Sequence, residues 1–347
     1  MQAPAFGLNR FDFGSVERFA KDVRRAEDLG WDYGFIPDSQ LRRRDTYVML
    51  SAAARATSHI HIGPLIANPV NRHISVTASS IATIDELANG RTVLGLGIGD
   101  TSVRLAGLRP ARVHELEEAT HLARKLLHGE SIQVGARQQT HLPHARPVPI
   151  WIAAGGPRML RAAGRVADGV FIRVGTSYEN LDAAIDAVHT GALEAGRDPK
   201  SVRLGLVLHT VLIDDPELAV YIGRAMAAGY YEYSPTLFDK LGLSWNGPPI
   251  EELQGKVSPD FHHTPDLEGA GRLLEFFHES TANAFCLHGD TTAITEQLIA
   301  LLSHLPPIEI VVLHPVPDPV HNIEGAPLDY MGLVASEILP RVRIALE

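Results

Sequence analysis

Cysteine is almost missing: Cys286 is the single one in 347 residues. A lone thiol excludes a disulfide framework and a multi-cysteine zinc site, and it fits a reducing, cytoplasmic compartment. No run of eighteen or more apolar residues occurs, so no segment reads as a membrane helix. Residues 1–10 lack the basic stretch and apolar core of a signal peptide. Basic residues are the minority, 31 Lys and Arg against 41 Asp and Glu, giving a formal net charge of −10. That balance argues against wrapping nucleic acid or lying on an anionic membrane. Solenoid-period repeats are absent, and disorder is excluded by a chain that is 45% hydrophobic and 21% charged. What is left is the expectation of a soluble, intracellular, catalytic protein.

Short apolar runs alternate with helical patterns. Ser15 reads as an N-cap to Val16, Phe19, Val23, Ala26 and Leu29 at helical spacing, with Gly30 as the stop. Strands are expected at 5–8, 33–37, 60–67, 92–97, 148–154, 169–174, 202–213 and 309–313. Helices are expected between them at 46–56, 75–87, 113–127, 159–167 and 181–195. Strands joined by crossover helices imply a parallel sheet buried on both faces. Eight of them close a barrel, so the expected fold is α/β, a TIM (β/α)8 barrel over a single domain, 1–347. The stretch 214–307 breaks the rhythm and is rich in Tyr, Pro and His in its middle. It is expected to be an insertion between strands 7 and 8 over the barrel mouth, partly helical near 267–280 and 293–302.

In such a barrel the chemistry sits at the C-terminal ends of the strands. Asp38 follows the second strand, Asn68 the third and Asp100 the fourth; Gly155, Gly156 and Arg158 follow the fifth, and Arg173 closes the sixth. Each alone reads equally well as a turn former or cap. The run Ala153-Ala154-Gly155-Gly156-Pro157-Arg158 is more legible, because a helix start after two glycines presents free N–H groups to an anion. It reads as a phosphate cradle. Gly95-Leu96-Gly97-Ile98-Gly99-Asp100 does not complete a dinucleotide fingerprint, since Asp100 stands where the last glycine belongs. Of the 17 histidines, His59 and His61 open a strand at the barrel bottom, and His114 with His121 are wrongly spaced for a metalloprotease helix. His262 and His263 have no spaced partners, so no metal site is expected.

With those residues in view, the chain resembles the bacterial luciferase-like superfamily. It is most similar to the branch using the deazaflavin coenzyme F420, which includes methylenetetrahydromethanopterin reductase. The resemblance is carried by WDYGFIPDSQ at 31–40, IGPLIANPVNRHISVTA at 62–78, TIDELANGRTVLGLGIGD at 83–100 and PIWIAAGGPRMLRAAGRVADG at 149–169. It implies a TIM barrel and hydride transfer between F420 and a small organic substrate, with FMN as the alternative cofactor. Asp38 would approach the polar edge of the ring, while Asn68 and the Ile98–Gly99 backbone would line it. Ala154, Gly155 and Gly156 would hold the phosphate, and a non-prolyl cis peptide at Leu65–Ile66 would press behind the ring. Asp38 and Asp100 are the candidate catalytic acids. Several relatives carry a histidine after the acid matching Asp38; here Ser39 stands there instead.

Arg42, Arg43 and Arg44 read either as an attractor for an acidic cofactor tail or as a solvated charge run. Tyr230, Tyr231 and Tyr233 read either as a substrate wall or as core packing. A homodimer is implied by the resemblance. Two other readings stay open: an FMN monooxygenase fed by a separate reductase, and a cofactor-free binding protein on the same scaffold.

Overall fold

The computed structural model describes residues 3–9, 11, 14–133, 138–317 and 329–347. Among these, nine strands form one sheet: β1 (Ala5–Asn9), β2 (Tyr33–Ile36), β3 (His61–Pro64), β4 (Leu94–Leu96), β5 (Ile150–Ala154), β6 (Gly169–Ile172), β7 (Arg203–Leu212), β8 (Leu287–Gly289) and β9 (Ile310–Val316). Their order is β3-β2-β1-β9-β7-β6-β5-β4, with β8 paired to β7. The two ends of that order are bridged in parallel at Ile62 with Thr92 and at Ala67 with Leu96, which closes a TIM-type barrel. Every residue of β6 and β9 is buried, as a sheet covered on both faces requires.

Contacts divide the chain into two compact units. One comprises residues 7–171 and 187–205 and the other comprises 1–6, 172–186 and 206–347. In the first, β1, β2 and β3 run parallel in the register Gly7–Tyr33–His61, and Leu94 of β4 pairs with Ile150 of β5. Its core is aromatic at the centre: Phe171 packs edge-on to Phe35 at 5.5 Å and tilts against Trp151 at 4.7 Å. Helix Val16–Asp28 begins as expected, with the Ser15 hydroxyl accepting the Arg18 N–H. Its Glu27 carboxylate then accepts the N–H groups of Ser58 (2.8 Å), His59 (2.5 Å) and Ile60 (2.9 Å), fixing the chain entering β3. Burial pushes the Glu27 pKa up, but those three donors outweigh it and leave it lowered. A lowered folded pKa gives stability that is present above the unfolded value of 4.5 and lost as pH falls through the folded one. Glu27→Ala is therefore expected to cost on the order of 2–3 kcal/mol at pH 7, with the loss shrinking in acid, as urea unfolding at pH 7 and pH 4 would show.

The second unit holds most of β7, then β8 and β9, and the stretch 214–307. That stretch contains helices Pro216–Tyr233, Thr236–Asp239, Ile250–Gln254, Leu267–Arg272, Glu279–Asn283 and Thr291–His304, together with β8. Two expectations are corrected here. The helix expected over 267–280 is two short ones, because the chain tightens after Arg272. There Leu274 N–H reaches Gly271 O, Phe277 N–H reaches Leu274 O, and His278 Nδ1 caps the next helix on Ser280 N–H. The strand β8 was not expected. Its three residues end at Gly289 (φ 118°), too short for a two-residue period to show. Phe238, Phe285 and Tyr230 stack in sequence at 4.8 and 5.2 Å in this unit's core.

Candidate cofactor site

Three strand-end loops of the first unit are tied into one knot. After β3 the Leu65–Ile66 peptide is cis, as the resemblance implies, and the chain then turns at Asn68. Asn68 is 2% exposed; its Oδ1 accepts the N–H groups of Val70 and Asn71, and its Nδ2 donates to Ser102 Oγ at 3.4 Å. Asn71 Nδ2 donates to Gln40 Oε1 at 3.0 Å, and Gln40 Nε2 reaches the Ser102 carbonyl. The loops after β2, β3 and β4 are thereby locked to one another. Close approach makes this possible. A Cβ on Gly97 would lie 2.1 Å from Ile66 Cδ1, and one on Gly99 (φ +78°) would lie 2.4 Å from Val103 Cγ2 and 3.1 Å from Asn68 Cγ. Beside the knot opens a cavity of about 350 Å³ lined by Pro69, Val70, Leu108, Arg109, Ala111 and Glu115.

Asp38 is half-buried in the β2 loop. Burial lifts its carboxyl above the ordinary 3.8; the Arg72 charge opposes this, the Asp45 charge adds to it, and a Thr46 hydrogen bond pulls it back. Arg72 itself pairs with Asp45 at 2.9 Å and lies over the Tyr47 ring at 4.6 Å. The Tyr47 phenol is pushed up by burial and then by the Asp38 charge. Beside Asp38 the buried Ser39 Oγ lacks a hydrogen-bond partner, and the Tyr47 and Thr77 hydroxyls lie buried against each other. A raised folded pKa favours the protonated fold, so this contribution is full below 3.8 and lost as pH rises through the folded value. Asp38→Asn is therefore expected to raise Tm at pH 7, with the gain vanishing toward pH 4, in a melting series across that range.

The glycine run after β5 has a different character. Gly156 is the N-cap of helix Pro157–Val166, no side chain caps it, and Pro157 occupies its first turn. No heavy atom lies within 4 Å of where a Gly156 Cβ would stand, so the space before this helix end is open. Arg158 is exposed on the same turn.

Asp100 is the N-cap residue of helix Thr101–Leu105; its side chain is 41% exposed and pairs with Arg104 at 2.7 Å. Ile98 is 37% exposed, and its carbonyl accepts the Ala111 N–H. In the arginine run, Arg44 donates to the Gly14 carbonyl at 2.7 Å. The structure thus gathers Leu65, Ile66, Asn68 and Gly99 into one knot, with Ala154 at the end of β5, the strand beside β4, and Gly155 and Gly156 just after it. Tyr47 and Thr77 were missed by sequence reasoning. Their signal was weak: hydroxyls at helical positions that the pattern assigns to core.

A family model described as luciferase-like monooxygenase matches residues 7–305. The chain belongs to this family. It is 32% identical over 209 residues to the 5,10-methylenetetrahydromethanopterin reductase of Methanolobus tindarius, a match covering 57% of this chain and 62% of that one. Thus the aligned part spans less than two thirds of the Methanolobus protein. The reductase of the same name from Methanopyrus kandleri is 26% identical, with 99% of this chain and 100% of the other covered. The solved coenzyme F420-dependent tetrahydromethanopterin reductase of Methanopyrus kandleri shares the luciferase-like fold at a TM-score of 0.77, 23% identity and coverage of 99% and 100%.

Proposed function

We propose that this luciferase-like protein is a coenzyme F420-dependent oxidoreductase that transfers a hydride between the deazaflavin and a small organic substrate. The observation that carries the reading is the end-to-end similarity to methylenetetrahydromethanopterin reductase. The residues present fit such a cofactor. The open, uncapped helix start at Gly156 suits a phosphate, and the unpartnered Ser39 hydroxyl beside Asp38 suits the polar edge of a ring.

When bound, the deazaflavin supplies a two-electron hydride carrier. The protein's own residues bind and orient. Ala154, Gly155 and Gly156 hold the phosphate. The Leu65–Ile66 backbone, Asn68 and Ile98–Gly99 form a rigid floor, locked by the hydrogen bonds from Asn68, Asn71 and Gln40. Asp38 stands by to hold a proton at its carboxyl, since its burial favours the neutral acid. Asp100, paired with Arg104, is the second candidate to hold a proton at this site. The active species is a cytoplasmic homodimer in this reading, which light scattering would check.

Purified protein titrated in parallel with F420 and with FMN, each followed by fluorescence, tests the proposal. Binding of F420 at least tenfold tighter than FMN supports it. The reverse order moves the chain to the flavin monooxygenase side, which the family's description also supports. Binding of neither leaves the cofactor-free scaffold.

A further inference from the structure

The second unit carries a group of buried polar side chains that the cofactor reading does not use. Arg173 directly follows β6 and is half-buried. Its Nη2 lies 3.4 Å from His209 Nε2, and its Cζ lies 5.5 Å from the centre of the Tyr230 ring. No carboxylate described in the structure pairs with it. Three other half-buried arginines pair with carboxylates, Arg124 with Asp168, Arg146 with Asp85, and Arg165 with Glu117 and Glu194, while Arg91 and Arg197 donate to backbone carbonyls instead. Tyr230, on helix Pro216–Tyr233, is 4% exposed, and its hydroxyl has no hydrogen-bond partner. That oxygen lies near the Arg173 guanidinium and the Gly175 N–H, although neither makes a bond of good geometry with it. An isolated buried hydroxyl costs free energy, and so does a half-desolvated guanidinium without an anion.

We infer that Arg173 and Tyr230, with His209 beside them, form a binding site for an oxyanion, the carboxylate or phosphate of an acidic substrate. A guanidinium fork takes either group through two parallel N–H···O bonds, and the phenol donates a third. His209 packs at 5.0 Å from His262 and 4.8 Å from His314, rings that wall the site and strengthen charge–dipole contacts by excluding water. Asp260 is held by His263 at 2.8 Å and by the Tyr233 hydroxyl at 3.2 Å, and Glu232 accepts the Phe261 N–H at 3.2 Å and a Gln254 Nε2 hydrogen at 2.9 Å; neither carboxylate pairs with Arg173. Burial pushes the Asp260 carboxyl up, but the His263 hydrogen bond prevails and sets it at about 2. The described residues hold no group of His, Cys, Asp and Glu arranged for a metal ion, which leaves an anion as the ligand these side chains suit. Calling that anion part of a substrate rests on the oxidoreductase reading; its binding does not.

The test uses the full chain carrying Gly156→Asp, which removes the other anion cradle. Inorganic phosphate and malonate are titrated at constant ionic strength, followed by calorimetry and by Tm. At least one binds, and Arg173→Gln weakens it about tenfold or more. Arg173→Lys, which keeps the charge but loses the fork, gives an intermediate loss. Tyr230→Phe weakens binding about three- to tenfold while the ligand-free Tm holds or rises, because the variant deletes an unpaired hydroxyl. Preference between phosphate and malonate assigns the anion. Failure of both anions to bind, or equal binding by all variants, overturns the inference. The F420 titration of the unaltered protein judges the oxidoreductase reading separately.

Discussion

Gly156→Asp is expected to weaken cofactor binding by two orders of magnitude or more while leaving the fold as stable as before, or slightly more so. The two effects separate because of where this residue stands. It is the N-cap of helix Pro157–Val166 with φ −81° and ψ 148°, an extended conformation that any residue adopts. Open space surrounds the position where a Cβ would go, so the new side chain meets nothing. Aspartate is among the best N-caps and improves on glycine by a few tenths of a kcal/mol. The same carboxylate then occupies the first-turn N–H groups that would receive a phosphate, and it repels that phosphate. A unit charge at ~4 Å costs about 4 kcal/mol at an effective dielectric near 20, enough for the stated loss after partial screening. Fluorescence titration of the wild type and Gly156→Asp with F420 and with the phosphate-free deazaflavin checks it. The phosphate-free compound should bind both proteins alike. Equal F420 affinity in the two would show that the phosphate is held elsewhere.

The barrel was readable because parallel strands buried on both faces leave unbroken apolar runs, and runs such as 169–174 and 202–213 end near where β6 and β7 do. What escaped depends on chain return rather than on local pattern. β8 is three residues long and is placed by pairing with Thr210–Leu212 of β7 and by the Gln297 side chain, which bonds the His288 N–H and carbonyl. Arg173 was placed at a strand end, yet its neighbours His209 and Tyr230, and His262 packed on His209, come from segments with no shared period. Tyr230, Tyr231 and Tyr233 looked alike in sequence but have separate environments. The first is buried, the second stacks on Trp245 at 4.7 Å, and the third is 43% exposed and bound to Asp260. The cofactor knot was half legible. Asn68 and Gly99 followed from strand ends and family likeness, whereas the hydroxyls of Tyr47 and Thr77 sit on helical faces that read as core.

The family-marking run from Asp85 to Arg91 is expected to serve the fold and not the chemistry, and Asp85→Ala should reveal this as a loss of about 3 kcal/mol or more. Asp85 is 5% exposed at the end of helix Ile74–Leu87. Its Oδ1 accepts the Thr92 hydroxyl at 2.6 Å and the Thr92 N–H at 3.3 Å, and its Oδ2 accepts Arg146 Nε at 2.6 Å. One carboxylate thus joins a helix end, the chain entering β4 and a distant loop. Arg91 complements it by donating to the carbonyls of Ile60 (2.6 Å), Thr57 (3.0 Å) and Ala54 (3.4 Å), which secures the chain before β3. Truncating a buried ionic partner leaves donors and a cation without their acceptor, which makes such losses large. Asp85→Asn keeps one oxygen for Thr92 and gives up the charge toward Arg146, so about half the loss is expected. Denaturant unfolding measures both variants, and F420 affinity measured well below the unfolding midpoint should stay within about twofold of the wild type. Asn68 accepts from its own loop and reaches across to Ser102, whereas Asp85 and Arg91 bind the chain entering β4 and β3, the end of helix Thr46–Ala56 and the Arg146 loop. If Asp85→Ala instead abolished cofactor binding without loss of stability, the knot at Asn68 would depend on this helix end for more than support.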